Sequence, residues 1–349
     1  MKHIDRIDVL RGVAILSVIL FHLLGTVFGK DHPGFHDKIL DVAAVPYQWW
    51  LLSPLSLGWT GVALFFVISG YVIHRSRLLA KNFTWLDFLK RRFWRLYPAY
   101  FIFLVVFSVA KGVPLLSADF LLHLLMLQNL TDQTFFGGIN GVFWSVAVEC
   151  QLYALYPVLI SCRRYIPMLP LSGAAATIWL LIAYTFADLP PNNPAIWASP
   201  FLLWPAWTIG AVIAEKHIGG SRLFNRRAAW IIVILLLLFA SSAIQPLYPL
   251  AFNLAAIAWA AVLDSYVFKS AVLGKVETIA CTVGAASYSI YLIHQPIMVF
   301  VLHSASLNRS TLMLLGGILF TPAIVSLGWL SYSMIEKRFN FASTRVRTH

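Results

Sequence analysis

Of 349 residues, 60% are hydrophobic and only 11% are charged, against roughly 25% charged in soluble domains. Mean hydropathy is +0.78, more apolar surface than a single soluble core can hide. The net charge is +12, but the basic residues form short clusters between apolar runs, without a basic domain or an aromatic-and-basic module. That pattern excludes a nucleic-acid partner and is the positive-inside signature of a membrane protein.

Taken in chain order, apolar runs long enough to cross a ~30 Å hydrocarbon core fall at 8–28, 58–77, 96–113, 142–161, 169–187, 197–215, 229–245, 248–267, 283–303 and 311–334. The expected fold is therefore all-α, a polytopic bundle of about ten transmembrane helices. The first run has no small-residue cleavage site after it and is read as a retained span. Residues 116–130 are apolar but short and hold His123 and Gln128, which fits an interfacial or re-entrant helix. With ten spans and both termini cytoplasmic, all of the 26 basic residues lie inside except Lys30, Lys38, Lys111 and Arg309. Making 116–130 a span would invert every later loop and destroy this asymmetry. Residues 1–336 form one membrane domain and 337–349 a short cytoplasmic tail. Cys150, Cys162 and Cys281 lie in or beside spans without metal-type spacing, and an odd count argues against a disulfide framework. Trp49, Trp50, Trp197 and Trp204 suit an interfacial belt.

Ionisable side chains inside spans are costly and mark functional sites. Arg11 and His22 are 11 residues apart, close to three helical turns, so they share a face about 16 Å apart along the axis. Glu149 in FWSVAVECQLY and His294 in SYSIYLIHQP fall at a depth similar to that of His22. Each has a plain structural alternative: a snorkelling arginine, a histidine bonded to a backbone carbonyl, a paired carboxyl, a histidine satisfying backbone freed by Pro296. Their convergence at one level is harder to explain so. Ser69, Gly70 and Tyr71 in FFVISGY read more simply as small-residue helix packing. In the second inner loop, KRRFWRLYP, Arg92 and Arg95 share a face if helical and suit phosphate recognition; anchoring on anionic lipid is the plainer account of the charge.

These residues resemble the acyltransferase 3 family of integral membrane acyltransferases over essentially the whole chain. The likeness rests on Arg11 and His22 within LRGVAILSVILFHL, on FFVISGY, on Arg92 and Arg95 leading into LYP, on FWSVAVE with Glu149, on YSIYLIHQP with His294, and on Glu336 and Lys337. The resemblance implies transfer of an acyl group, usually acetyl from cytoplasmic acetyl-CoA, to a hydroxyl of a cell-envelope carbohydrate or lipid-linked glycan at the bacterial inner membrane. It implies that Arg11, Arg92 and Arg95 engage the CoA phosphates or position the thioester, and that His22 acts at the reacting centre as general base or as a transiently acylated nucleophile. Glu149 would orient His22 or stabilise its imidazolium, as a triad carboxylate does. Ser69, Tyr71, Trp144, Tyr153 and His294 are cavity candidates, and Gly137 and Gly138 read as a turn or as a close approach to the acceptor. Some relatives carry an extracytoplasmic esterase-like domain, absent from these residues, so the membrane domain or a separate protein is expected to complete transfer. The competing reading is a proton-coupled transporter using buried His and Glu as a relay; it leaves the arginines beside the first two spans unexplained. Asp31, His32, His36 and Asp37 form a metal-like cluster, but Pro33 and Gly34 make it a solvated turn, and no metal is expected.

Overall fold

The computed structural model describes residues 4–29, 47–131, 134, 138–186, 193–224, 248–268, 272–304 and 307–339, and every regular element among them is helical. In lipid each backbone N–H and C=O must be satisfied within the chain, which continuous helices achieve. The helices are α1 (Asp5–Phe28), α2 (Thr60–Leu78), α3 (Trp85–Ala110), α4 (Ala118–Leu124), α5 (Phe143–Cys162), α6 (Met168–Thr185), α7 (Pro200–Ile218), α8 (Tyr248–Val267), α9 (Lys275–Ala285), α10 (Ser287–His303) and α11 (Arg309–Phe339). Among the described residues, eight stretches are long and apolar enough to cross a membrane, and the bent pair α9–α10 makes a ninth. The expected span at 229–245 lies outside the described residues.

Two boundaries differ from the sequence expectation. Helix α3 starts at Trp85, not near residue 96, because the Thr84 side chain accepts from the Asp87 backbone N–H at 3.1 Å and caps a helix that runs through the basic stretch. Arg92 and Arg95 therefore stand on a helix, not in a loop. The expected span 283–303 is two helices meeting at 75°. The first of them, α9, is pinned to α1: a Cβ on Gly284 would fall 1.7 Å from the Asp8 carbonyl oxygen. Segment 116–130 is, as expected, too short to span; it holds α4 and a single 3-10 turn at Gln128–Leu130.

The tightest helix pairs are α2 with α7 and α1 with α9. Helices α2 and α7 are the most enclosed spans, whereas α6 and α11 present Leu181, Ile318 and Leu319 outward, as a lipid-facing surface requires. Lipid gives no hydrophobic drive between helices, so close approach of small residues supplies the packing. A Cβ on Gly70 would lie 1.9 Å from the Trp207 carbonyl oxygen, and one on Gly210 would lie 2.0 Å from that of Val67. Gly70→Leu is accordingly expected to force α2 and α7 apart and cost at least about 1–3 kcal/mol, the range for overpacking. Loss of a monodisperse peak in detergent size-exclusion chromatography, compared with Gly317→Leu where nothing stands within 4 Å, measures it.

Candidate active site

Two cavities stack along the bundle. The first, about 90 Å³, lies at the end carrying the start of α1 and the end of α2, and its walls include Arg11, Arg92, Arg95, Ser69, Glu149 and Tyr153. Arg11 Nη1 donates to Asp8 Oδ1 at 2.6 Å. Arg92 lies over the rings of Phe88 and Tyr153, 5.7 and 6.0 Å from their centroids, with its Nε buried and without a partner among the described residues. Arg95 makes no hydrogen bond or ion pair among the described residues. Glu149 Oε1 accepts from Ser69 Oγ at 2.9 Å and from the Tyr153 hydroxyl, and Trp207 Nε1 donates to Ser69 Oγ at 3.2 Å. The carboxylate is thus fixed by hydroxyls and leaves the guanidinium donors of Arg92 and Arg95 for an incoming anion, the geometry in which arginine forks recognise phosphate.

The second cavity, about 320 Å³, lies towards the opposite end and is walled by His22, Trp59, Trp144, Trp197, Phe252 and Gln295, among others. Its chemistry centres on a histidine pair. His294 is fully enclosed; its Nδ1 donates to the Tyr291 carbonyl at 2.7 Å, and its Nε2 stands 3.0 Å from His22 Nδ1. His22 Nδ1 also lies 3.0 Å from the Val18 carbonyl. A carbonyl only accepts, so both Nδ1 atoms carry hydrogen, and His294 Nε2 accepts from His22. This assignment leaves His22 Nε2 as a lone pair without a partner among the described residues, the form a general base needs. Pro296 cannot bond the Leu292 carbonyl four residues back, yet Asn140 Nδ2 donates to that oxygen at 3.0 Å. The freed backbone is therefore satisfied by Asn140, and His294 is left to hold His22.

Val62 and Tyr291 line both cavities. The Tyr291 hydroxyl is 2.7 Å from Ser145 Oγ, so the partition is a hydrogen-bonded tyrosine and one valine.

The structure brings Arg11, Arg92, Arg95, Glu149, Ser69 and Tyr153 together, and separately His22, His294 and Trp144. Four residues sit otherwise than expected. Glu149 does not orient His22: one turn of α5 separates it from Ser145, the residue that meets Tyr291, and this carries it into the arginine cavity. His294 lies behind His22 and lines neither cavity. Tyr71 points away from both, donating to His217 Nδ1 at 3.2 Å while His217 Nε2–H is taken by Asp264 at 2.9 Å; it ties α2 to α7 and α8. Trp197 faces the second cavity rather than an outer belt. Gly138 packs within its own loop, where a Cβ would fall 2.3 Å from the Thr134 carbonyl oxygen. Gly137 and the cluster Asp31, His32, His36 and Asp37 lie outside the described residues, among which no group of three or more His, Cys, Asp or Glu could hold a metal ion. Sequence reasoning missed Tyr291, Ser145 and Gln295, although Tyr291 sits three residues before His294, on the same helical face.

Residues 4–333 match the family described as Acyltransferase domain. The chain is 27% identical over 313 residues to Acyltransferase MdmB of Streptomyces mycarofaciens, covering 82% of this chain and 76% of that protein. It is 29% identical over 203 residues to YrhL of Bacillus subtilis, named as a candidate peptidoglycan O-acetyltransferase, covering 52% of this chain and 27% of that protein. It is 28% identical over 180 residues to SACOL0978 of Staphylococcus aureus (strain COL), named as a candidate O-acetyltransferase, covering 46% and 25%. The matches thus take in three quarters of the first relative but only about a quarter of the other two. No solved structure matches the chain.

Proposed function

Because the chain belongs to the acyltransferase 3 family, whose domain matches residues 4–333, we propose that it moves an acetyl group from cytoplasmic acetyl-CoA to a hydroxyl of an envelope carbohydrate or lipid-linked glycan. The observation that carries this reading is the stacking of an arginine cavity and a histidine cavity across the shared Val62 and Tyr291. One cavity suits a phosphate-bearing donor and its thioester, the other a hydroxyl beside a base. The basic-residue asymmetry of the sequence supports a topology with both termini, and with them the arginine cavity, on the cytoplasmic side of an inner membrane. The donor then enters from inside and the acceptor from the other face.

In direct transfer, His22 Nε2 takes the acceptor's hydroxyl proton as its oxygen attacks the thioester carbonyl carbon. The tetrahedral intermediate collapses, the C–S bond breaks, and the leaving thiolate recovers the proton from the His22 imidazolium. While the imidazolium exists, its Nδ1–H is held by the Val18 carbonyl and by His294 Nε2, a neutral counterpart of the orienting member of a triad. Arg11, Arg92 and Arg95 hold the donor. In the acyl-enzyme route His22 Nε2 attacks the thioester itself and then passes the acetyl group to the hydroxyl. On either route the thioester has to pass Val62 and Tyr291, which line both cavities, to reach His22.

Mass analysis of envelope glycans from a deletion strain tests the reading. The acetylated species are expected to disappear and to return with the wild-type gene; an acetylation pattern identical in all strains rules it out.

A further inference from the structure

We propose that Glu336 is a positioning residue that balances Arg95 in the empty arginine cavity and takes up a proton when the donor's phosphate arrives, so that donor binding is coupled to proton uptake. The inference rests on the acyl-transfer reading and adds a step to its donor end. Glu336 is only 5% exposed, although Met334, Lys337 and Arg338 around it on α11 are exposed. A carboxyl turned inward on a spanning helix is costly and marks a function. Glu336 ends a π-turn, Tyr332–Glu336, a feature in which one inserted residue rotates the side chains that follow by about 100° and which recurs at functional sites. Ser289 Oγ of α10 donates to Glu336 Oε2 at 3.0 Å. Trp94 of α3 stacks on Phe339 with 5.9 Å between centroids and 12° between planes. Helices α3, α10 and α11 therefore converge on this carboxyl, behind a cavity wall that includes Arg11, Arg95 and Tyr288.

The charged and titratable groups facing Glu336 are Arg95 from α3, Arg11 from α1, Tyr288 from α10 and Tyr332 from its own helix, with Asp8 of α1 across Tyr332. Each guanidinium of the cavity thus has a carboxylate of its own: Asp8 for Arg11 at 2.6 Å, Glu149 for Arg92 and Glu336 for Arg95. Arg91 adds a like charge beside Arg92 from the same helix. A phosphate entering this enclosed space meets arginines that are already balanced, and the carboxylates repel it while the arginines attract it. Neutralising one carboxylate removes that conflict. Asp8 has its ion pair with Arg11, and Glu149 has two hydroxyl donors, Ser69 and Tyr153. Glu336 has Ser289 as its only hydrogen-bonding neighbour among the described residues, so it gives up the least by taking a proton. Once Glu336 is neutral, the charge of Arg95 is left to the phosphate.

The test is calorimetric titration of acetyl-CoA into the full chain in zwitterionic nanodiscs, repeated in buffers of different ionisation enthalpy. It is run at about pH 7.5, where the donor's phosphates, with a second pKa of about 6, are already ionised. Wild type is expected to take up about one proton per donor bound. Because the complex then holds more protons than the free protein, affinity falls as pH rises, by about tenfold between about pH 7 and pH 8 for one linked proton. Glu336→Gln keeps an acceptor for Ser289 and removes the titrating group; it is expected to take up about no proton and to change affinity less than about twofold over the same range. Uptake near zero in wild type overturns the proposal whether or not the variant folds. Uptake unchanged in Glu336→Gln puts the proton on another group and overturns it as well. Acetyl-CoA binding and His22-dependent transfer without proton uptake refute this inference alone, whereas a wild-type protein that does not bind acetyl-CoA refutes the donor reading and the inference with it.

Discussion

His22→Ala is expected to lower acetyl transfer about a thousandfold, within the 10²–10⁴ range for a lost general base, while the protein folds and still binds acetyl-CoA. The ring's Nδ1 contacts are the Val18 carbonyl of its own helix and one hydrogen bond to His294 on α10; α1 also packs along α2, α9 and α10, so the fold does not depend on that one bond. Radiolabelled acetyl-CoA, with transfer measured in membranes and donor binding measured by filtration, separates the two effects. His294→Ala is expected to cost less than His22→Ala, because the Val18 carbonyl still orients the imidazole. The double variant should be no worse than His22→Ala alone, since residues that act as one unit are not additive. Equal losses from both single variants with intact donor binding would instead make His294 a reacting group in its own right. Transfer unchanged in His22→Ala would remove the imidazole from the chemistry altogether.

The parts of this site that one helix defines were legible in the sequence. Arg11 and His22 share a face because 3.6-residue periodicity places them so, whatever surrounds them. Depth could be counted from span ends, which brought His22 and His294 to one level. Counting could not resolve a single turn, and that is the interval by which Glu149 falls into the arginine cavity with Ser69 and Tyr153. The azimuth of one helix against another is set by close contacts such as Gly70 on Trp207, which no local pattern reports. The early start of α3 did have a signal: Thr84 three residues before Asp87 is a capping pair, and Thr84 Oγ1 donates to Asp87 Oδ2 at 2.7 Å. Hydropathy hid it under four basic residues. The bend between α9 and α10 has no proline to announce it; just before it, Gly284 lies against the Asp8 backbone of α1, a contact no local pattern reports.

Arg92→Ala and Arg95→Ala are each expected to weaken acetyl-CoA binding by about tenfold to a hundredfold, the value of a charge-assisted hydrogen bond of about 1.5–3 kcal/mol, whereas Lys90→Ala changes it less than about twofold. All three cations belong to one basic stretch, and a lipid-anchoring role treats them alike. Their surroundings do not. Lys90 is exposed, while Arg92 and Arg95 line the cavity that holds Glu149. The Arg92 side chain makes no hydrogen bond among the described residues and its buried Nε has no partner there, so the expected loss falls on the bound anion. Arg92→Lys is not expected to restore affinity, because an ammonium lacks the planar fork and the stacking that place the guanidinium over Phe88 and Tyr153. Isothermal titration in nanodiscs made once with zwitterionic and once with anionic lipid reads the difference. If all three alanine variants weaken binding equally, and only in anionic lipid, the arginines act on the membrane; if Arg92 and Arg95 alone matter in both lipids, they act on the donor.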